Sequence, residues 1–141
     1  MAKKVLSEIT EVKVRFSEVD SLKIVWHGHY IKYFEEGREA FGAKYGIGYL
    51  NIMQQGLLTP IVNINCDYKR PLEYGDTAVV KTTFIDSDSA KICFEFTITS
   101  KATGEECAAG SSIQVFLNRD RELLLTPPPS FMEWKKKWGL I

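Results

Sequence analysis

Asp20, His27, Gly28 and His29 hold the densest chemistry in this chain. The two histidines flank one glycine, and the aspartate stands seven positions ahead of them, in Asp20-Ser21-Leu22-Lys23-Ile24-Val25-Trp26-His27-Gly28-His29-Tyr30. A carboxylate can attack an acyl carbon, take a proton from water, or orient that water. A helix N-terminus offers free N–H groups and about half a positive charge, where a developing oxyanion can be held. Gly28 would let the backbone approach a ligand closely. Together these are the parts needed to hydrolyse an activated acyl group. Plainer uses exist for the same residues. Asp20 would serve as a turn or cap at a strand end, and His27 as a solvated side chain at a helix start.

Asp20, His27 and His29 are also a two-histidine, one-carboxylate set by residue type. Residues two apart do not share a helix face, however, and the chain has no third histidine. No metal and no other cofactor is expected.

The elements that must position these residues can be read from periodicity. Thr10 to Phe16 alternates, with Val12, Val14 and Phe16 opposite Glu11, Lys13 and Arg15, the pattern of a half-buried strand. From about Gly28 to Tyr45 the spacing becomes helical: Tyr30, Tyr33, Phe34, Gly37, Ala40, Phe41 and Tyr45 share one side. Gly46 and Gly48 supply the stop. Gly37 and Ala40 among bulky aromatics predict a helix whose backbone comes close to a sheet. Tyr30 and Tyr33 belong either to the core or to an acyl pocket. Glu35, Glu36 and Glu39 fall mostly on the polar face.

Residues 51–58 read as a loop or short helical turn. Beyond them, Pro60 to Arg70, Asp76 to Ile85, Lys91 to Ser100 and Glu106 to Asn118 read as strands joined by tight polar turns. Glu122 to Thr126 is a candidate sixth strand. Pro127 to Pro129 ends the pattern, and Ser130 would cap a helix from Phe131 to Trp138. Within it Trp134 and Trp138 would dock the tail, and Lys135-Lys136-Lys137 would form a solvated face. Hairpin-linked strands pair antiparallel, and a lone long helix must bury its apolar side on that sheet. The expected class is α+β, one sheet curled around one helix. No phosphate-binding glycine loop or alternating βαβ pattern is present.

At 141 residues the chain has the length of one domain. Eighteen basic and 18 acidic side chains cancel, which excludes a bulk electrostatic grip on nucleic acid. Cys66, Cys93 and Cys107 are odd in number and sit in strand-like segments, as expected of small buried hydrophobes in a reducing, cytosolic setting. Met1 to Glu8 lacks the apolar stretch of a signal peptide, and no apolar run approaches the roughly 18 residues of a membrane span.

The arrangement resembles the hot-dog fold acyl-CoA thioesterases of the 4-hydroxybenzoyl-CoA thioesterase-like group, which includes those associated with the Tol–Pal system. Two segments carry the resemblance. One runs from Arg15-Phe16-Ser17-Glu18-Val19-Asp20 through Ile24-Val25-Trp26-His27-Gly28-His29-Tyr30 into the helix. The other is Asp67-Tyr68-Lys69-Arg70-Pro71-Leu72-Glu73-Tyr74-Gly75-Asp76, which looks like the group's strand-Pro-x-x-x-Gly-Asp turn. The resemblance implies an antiparallel five- to six-stranded curved sheet wrapped around one long helix. It implies that Asp20 is nucleophile or general base, and that the backbone at His27 or Gly28 polarises the thioester carbonyl. It implies a catalytic unit of at least two subunits, a homodimer or homotetramer. Ser21, Leu22 and Lys23 stand where the group often has small residues including glycine. His29 stands where it favours asparagine, which makes His29 a position for tuning the acyl group.

Lys69 and Arg70 would hold the phosphates of coenzyme A, or else keep an edge strand soluble. Tyr30 would line the substrate pocket. The expectation is therefore a cytoplasmic acyl-CoA thioesterase occupying residues 1–141 as one domain, with its core at about 8–126 and a helical tail at 127–141. The alternatives are a non-catalytic acyl-CoA or acyl-carrier binding module and a hot-dog hydratase or dehydratase.

Overall fold

The computed structural model describes residues 4–141, so Met1, Ala2 and Lys3 of the leader reading lie outside the described residues. The elements run β1 (Ser7–Lys13), α1 (Gly28–Tyr45), α2 (Tyr49–Gln54), β2 (Ile61–Tyr68), β3 (Thr77–Ile85), β4 (Lys91–Ser100), β5 (Glu106–Val115) and α3 (Pro129–Lys137). The described strands form one five-stranded sheet in the order β1-β3-β4-β5-β2, with every neighbouring pair antiparallel. β1 and β2 are its edges. This is the α+β hot-dog arrangement expected from the sequence.

Alternation decides which side of the sheet meets α1. Ala78, Val80, Thr82 and Phe84 of β3 and Ile92, Phe94, Phe96 and Ile98 of β4 are buried, while their neighbours stay more accessible. Phe34 of α1 stacks on Phe96 with ring centroids 4.6 Å apart, and Phe41 meets Phe94 edge-on at 5.0 Å. A Cβ at Gly37 would strike Thr82 and Val80 of β3, so this glycine lets the helix lie close to the sheet, as its place among aromatics predicts. Gly46 closes the helix in the left-handed conformation at φ 71°.

α3 packs beside the C-terminal end of α1. The indole N–H groups of Trp134 and Trp138 both donate to the Tyr45 carbonyl, at 2.7 and 3.0 Å. They cap an end that otherwise leaves its carbonyls unpaired. The tryptophans thus dock the tail as expected.

Four sequence expectations change. α3 opens at Pro129 with Pro128 as its N-cap, so Ser130 lies inside the helix instead of capping it. The first strand is shifted toward the N-terminus: Val14 is buried, but Phe16 is 77% exposed and opens a single 3-10 turn. The Glu18 carboxylate causes this by reaching back to accept from the Arg15 N–H at 2.8 Å. The candidate sixth strand does not form, because Leu123 makes only an isolated bridge to Leu117. Lys135 does not belong to a solvated face. It is 2% exposed, and its ammonium lies 2.6 Å from both Asp86 Oδ1 and the Ser87 carbonyl. Among the described residues, no helix is long and apolar enough to cross a membrane.

Candidate active site at the start of the long helix

A short hairpin carries the aspartate. Val19 bridges Val25, the Asp20 N–H donates to the Ile24 carbonyl at 2.9 Å, and the Lys23 N–H returns to the Asp20 carbonyl at 2.9 Å. Asp20 Oδ1 accepts from the Leu22 N–H at 2.8 Å, an Asx turn. Lys23 closes the turn at φ 66°, the left-handed region that glycine tolerates best. The hairpin keeps its tight path without glycine by placing a lysine there. Among the described residues, Asp20 Oδ2 makes no hydrogen bond and is left for other partners.

Two buried braces hold this hairpin against α1. Glu18 accepts from the Tyr33 hydroxyl at 3.1 Å, while its own carbonyl accepts from the Trp26 N–H at 2.9 Å. The Tyr30 hydroxyl accepts from the Leu72 N–H at 3.1 Å, and the Leu72 carbonyl accepts from Val25 at 2.8 Å. Burial, reinforced by the Glu18 charge, pushes the Tyr33 phenol far above its ordinary range. Burial also raises the Tyr30 phenol, opposed by the bond from Leu72.

His27 is the N-cap of α1 and Gly28 its first residue. The His29 and Tyr30 N–H groups are taken up by the Trp26 and His27 carbonyls, at 2.9 and 3.3 Å. Among the described residues, the His27 and Gly28 amides have no acceptor. The Trp26 indole occupies the space that a Cβ on Gly28 would need. A side chain at position 28 would therefore have to push the half-exposed Trp26 ring aside.

A cleft of about 350 Å3 opens beside this helix start, lined among others by Asp20, His27, Tyr30, Tyr68, Lys69 and Arg70. Five of the seven residues singled out from the sequence meet there. Gly28 and His29 do not line it. The His29 ring stands edge-on to Trp26, centroids 5.6 Å apart, rather than facing the cleft. Lys69 and Arg70 are already paired across strands, Lys69 with Glu106 and Arg70 Nε with Glu105 at 3.3 Å. A phosphate would compete with those carboxylates. Asp20, His27 and His29 do not gather as a metal set, and no other group of His, Cys, Asp or Glu among the described residues does.

Tyr68 is the residue that sequence reasoning missed. It ends β2, half exposed, with its hydroxyl donating to the His27 carbonyl at 2.9 Å. Its ring meets Tyr30 edge-on at 5.1 Å and His27 at 6.2 Å. Its position beside Lys69 in the strand-to-proline turn was the available signal.

Residues 14–135 match the profile of the thioesterase-like superfamily. The chain belongs to that superfamily. Thioesterase membership bears out the expectation of a thioester hydrolase. A relative from Bacillus subtilis (strain 168), YneP, bears the name of a candidate acyl-CoA thioesterase; it is 33% identical over 88% of this chain and 89% of its own. The structure of a DHNA-CoA thioesterase from Staphylococcus aureus superimposes with a TM-score of 0.82, at 25% identity, over 93% of this chain and 89% of that one. A 4-hydroxybenzoyl CoA thioesterase variant crystallised with 4-hydroxybenzoyl CoA superimposes at 0.78 over 91% and 97% of the two chains. At 18% identity, that last likeness concerns the fold.

Proposed function

We propose that this chain is an acyl-CoA thioesterase, one domain in extent, in which Asp20 acts on the thioester carbonyl and the His27 and Gly28 amides hold its oxygen. The carrying observation is the cleft that gathers Asp20, His27 and Tyr30 beside the start of α1. On the nucleophilic route, a carboxylate oxygen adds to the carbonyl carbon and the C–S bond breaks. Coenzyme A leaves as a thiolate and takes a proton from water. Hydrolysis of the mixed anhydride then restores the carboxylate and releases the acid. On the base route, Asp20 takes a proton from water as the oxygen adds, and that proton passes to the departing thiolate. Either route develops negative charge on the carbonyl oxygen, where free amides at a helix start are effective.

Tyr30 and Tyr68 would line the acyl entrance. Lys69 and Arg70 would turn from Glu106 and Glu105 to the coenzyme A phosphates. His29, turned away toward Trp26, would act on acyl choice only through that ring. The working unit would be a homodimer or homotetramer. β2 is an edge strand with Val62 and Tyr68 about half exposed, an open ladder suited to a second copy. The three cysteines are free thiols, which fits a cytoplasmic location.

Thiol release from short, long and aromatic acyl-CoAs tests this reading. We expect cleavage of at least one class, and loss of about 100-fold or more in Asp20→Asn with binding retained. The Asn side chain keeps the acceptor for Leu22, so the hairpin should survive. Binding without cleavage across the panel would instead identify a carrier module. Full activity in Asp20→Asn would move the site elsewhere.

A further inference from the structure

The two arms of the Asp20 hairpin are tied to the rest of the molecule differently. The arm of Ile24 and Val25 is held by the turn after β2: Ile24 bridges Glu73, and the Val25 N–H donates to the Leu72 carbonyl at 2.8 Å. The arm of Glu18, Val19 and Asp20 has no such neighbour. The bonds of Asp20 to Leu22, Lys23 and Ile24 stay inside the hairpin, so they fix Asp20 only relative to its own turn. Among the described residues, one hydrogen bond joins this arm to α1. It runs from the Tyr33 hydroxyl to Glu18 Oε1, at 3.1 Å.

Glu18 is a costly residue to keep there. It is 9% exposed, and no cation among the described residues pairs with it. Taking an unpaired carboxylate out of water is unfavourable unless hydrogen bonds offset it. Oε1 supplies them by accepting from the Arg15 N–H at 2.8 Å as well as from Tyr33. The Glu18 carbonyl accepts from the Trp26 N–H at 2.9 Å. One residue therefore joins the 3-10 turn (Phe16–Glu18), the open end of the hairpin and the second turn of α1. Bonds to an ionised acceptor are roughly twice as strong as neutral ones, so a carboxylate makes the firmer tie.

The amides at His27 and Gly28 belong to the start of α1, whereas the Asp20 carboxylate belongs to the hairpin. Both must meet one thioester carbonyl, so their relative position matters more than the place of either. A misplacement of about 1 Å can cost on the order of 100-fold in rate. Glu18 does not line the cleft, and any effect it has on the reaction runs through Asp20. We propose that Glu18 is a positioning residue that, through Tyr33, sets the Asp20 carboxylate against the amides at the start of α1. This role rests on the reading of Asp20 given above.

Hydrolysis of an acyl-CoA that the parent cleaves, measured well below the Tm of every variant, tests the role. Glu18→Ala is expected to lower kcat about 10- to 100-fold with KM within about twofold of the parent. Glu18→Gln keeps an acceptor for both donors, so kcat should return to within about threefold of the parent. Tyr33→Phe cuts only the tie to α1 and should lower kcat about five- to tenfold; it decides the question if Glu18→Ala does not fold. Lys135→Met removes a buried tie at α3, far along the chain from the hairpin, and should keep the parental kcat. In an Asp20→Asn background, Glu18→Ala should cost nothing further, because its effect passes through the lost carboxylate.

Parental kcat in Glu18→Ala, or in Tyr33→Phe, would overturn the proposal. So would a Glu18→Gln enzyme no better than Glu18→Ala, an equal loss of kcat in Lys135→Met, or an undiminished loss in the Asp20→Asn background. Full activity in Asp20→Asn alone is a different result: it would overturn the reading of Asp20, and the positioning role with it.

Discussion

The Tyr68 hydroxyl donates to the His27 carbonyl oxygen at 2.9 Å, joining the end of β2 to the peptide that opens α1. The His27 carbonyl and the Gly28 N–H belong to one planar trans peptide and point in opposite directions. Holding the carbonyl therefore sets the direction of the amide. Tyr68→Phe keeps the ring contacts with Tyr30 and His27 and removes only the hydroxyl. Loss of one neutral hydrogen bond, about 1 kcal/mol, should lower kcat roughly fivefold with KM little changed. An unchanged kcat would leave Tyr68 as a wall of the cleft.

Lys23 occupies the left-handed region at φ 66°, a conformation that costs a side-chain-bearing residue roughly 1–2 kcal/mol. Glycine relieves that cost but loses more backbone freedom on folding. Lys23→Gly should therefore stabilise the chain by a net ~0.5–1 kcal/mol in urea unfolding. Lys23 does not line the cleft, so hydrolysis should be unaffected. Destabilisation would show that the lysine makes a compensating interaction in solution.

The Lys135–Asp86 pair links α3 to the β3–β4 turn, with side-chain exposures of 3% and 16%. Breaking a buried pair from one side costs about 3–5 kcal/mol. Lys135→Met should thus shift the urea midpoint downward clearly, whereas Lys136→Met, on the exposed neighbour, should stay within about 0.5 kcal/mol of the parent. Similar results for both variants would return Lys135 to the solvated face expected from its sequence.

Alkaline unfolding should report Tyr33. Its folded pKa is raised above the ordinary phenol value by burial and by Glu18. The stabilising difference is complete below about pH 10, where neither state ionises. As the pH rises further, the unfolded chain loses the proton first, and stability falls by up to about 1.4 kcal/mol per pH unit for this group. Tyr33→Phe should be less stable at neutral pH, having lost the bond to Glu18, but should show a shallower decline above pH 10. Equal slopes would mean that Tyr33 is open to solvent.

Local periodicity was enough for α1 and for β4. The aromatic spacing that ends at Gly46 marks the helix, and Ile92, Phe94, Phe96 and Ile98 mark the buried side of the strand. Side-chain direction repeats every 3.6 or 2 residues, so these elements carry their own record. The nature of the chemistry was also legible, because Asp20 and the helix start at His27–Gly28 are close along the chain. Partners brought together by pairing order were not. Only the adjacency of β2 and β5 sets Lys69 against Glu106 and Arg70 against Glu105. Only the packing of the β2 end against α1 gives Tyr68 its hold on His27. The same limit hid the buried Lys135. Each depends on a contact between segments distant in sequence, which the tertiary structure alone decided. Periodicity tells a side chain which way to face, and topology determines what it meets.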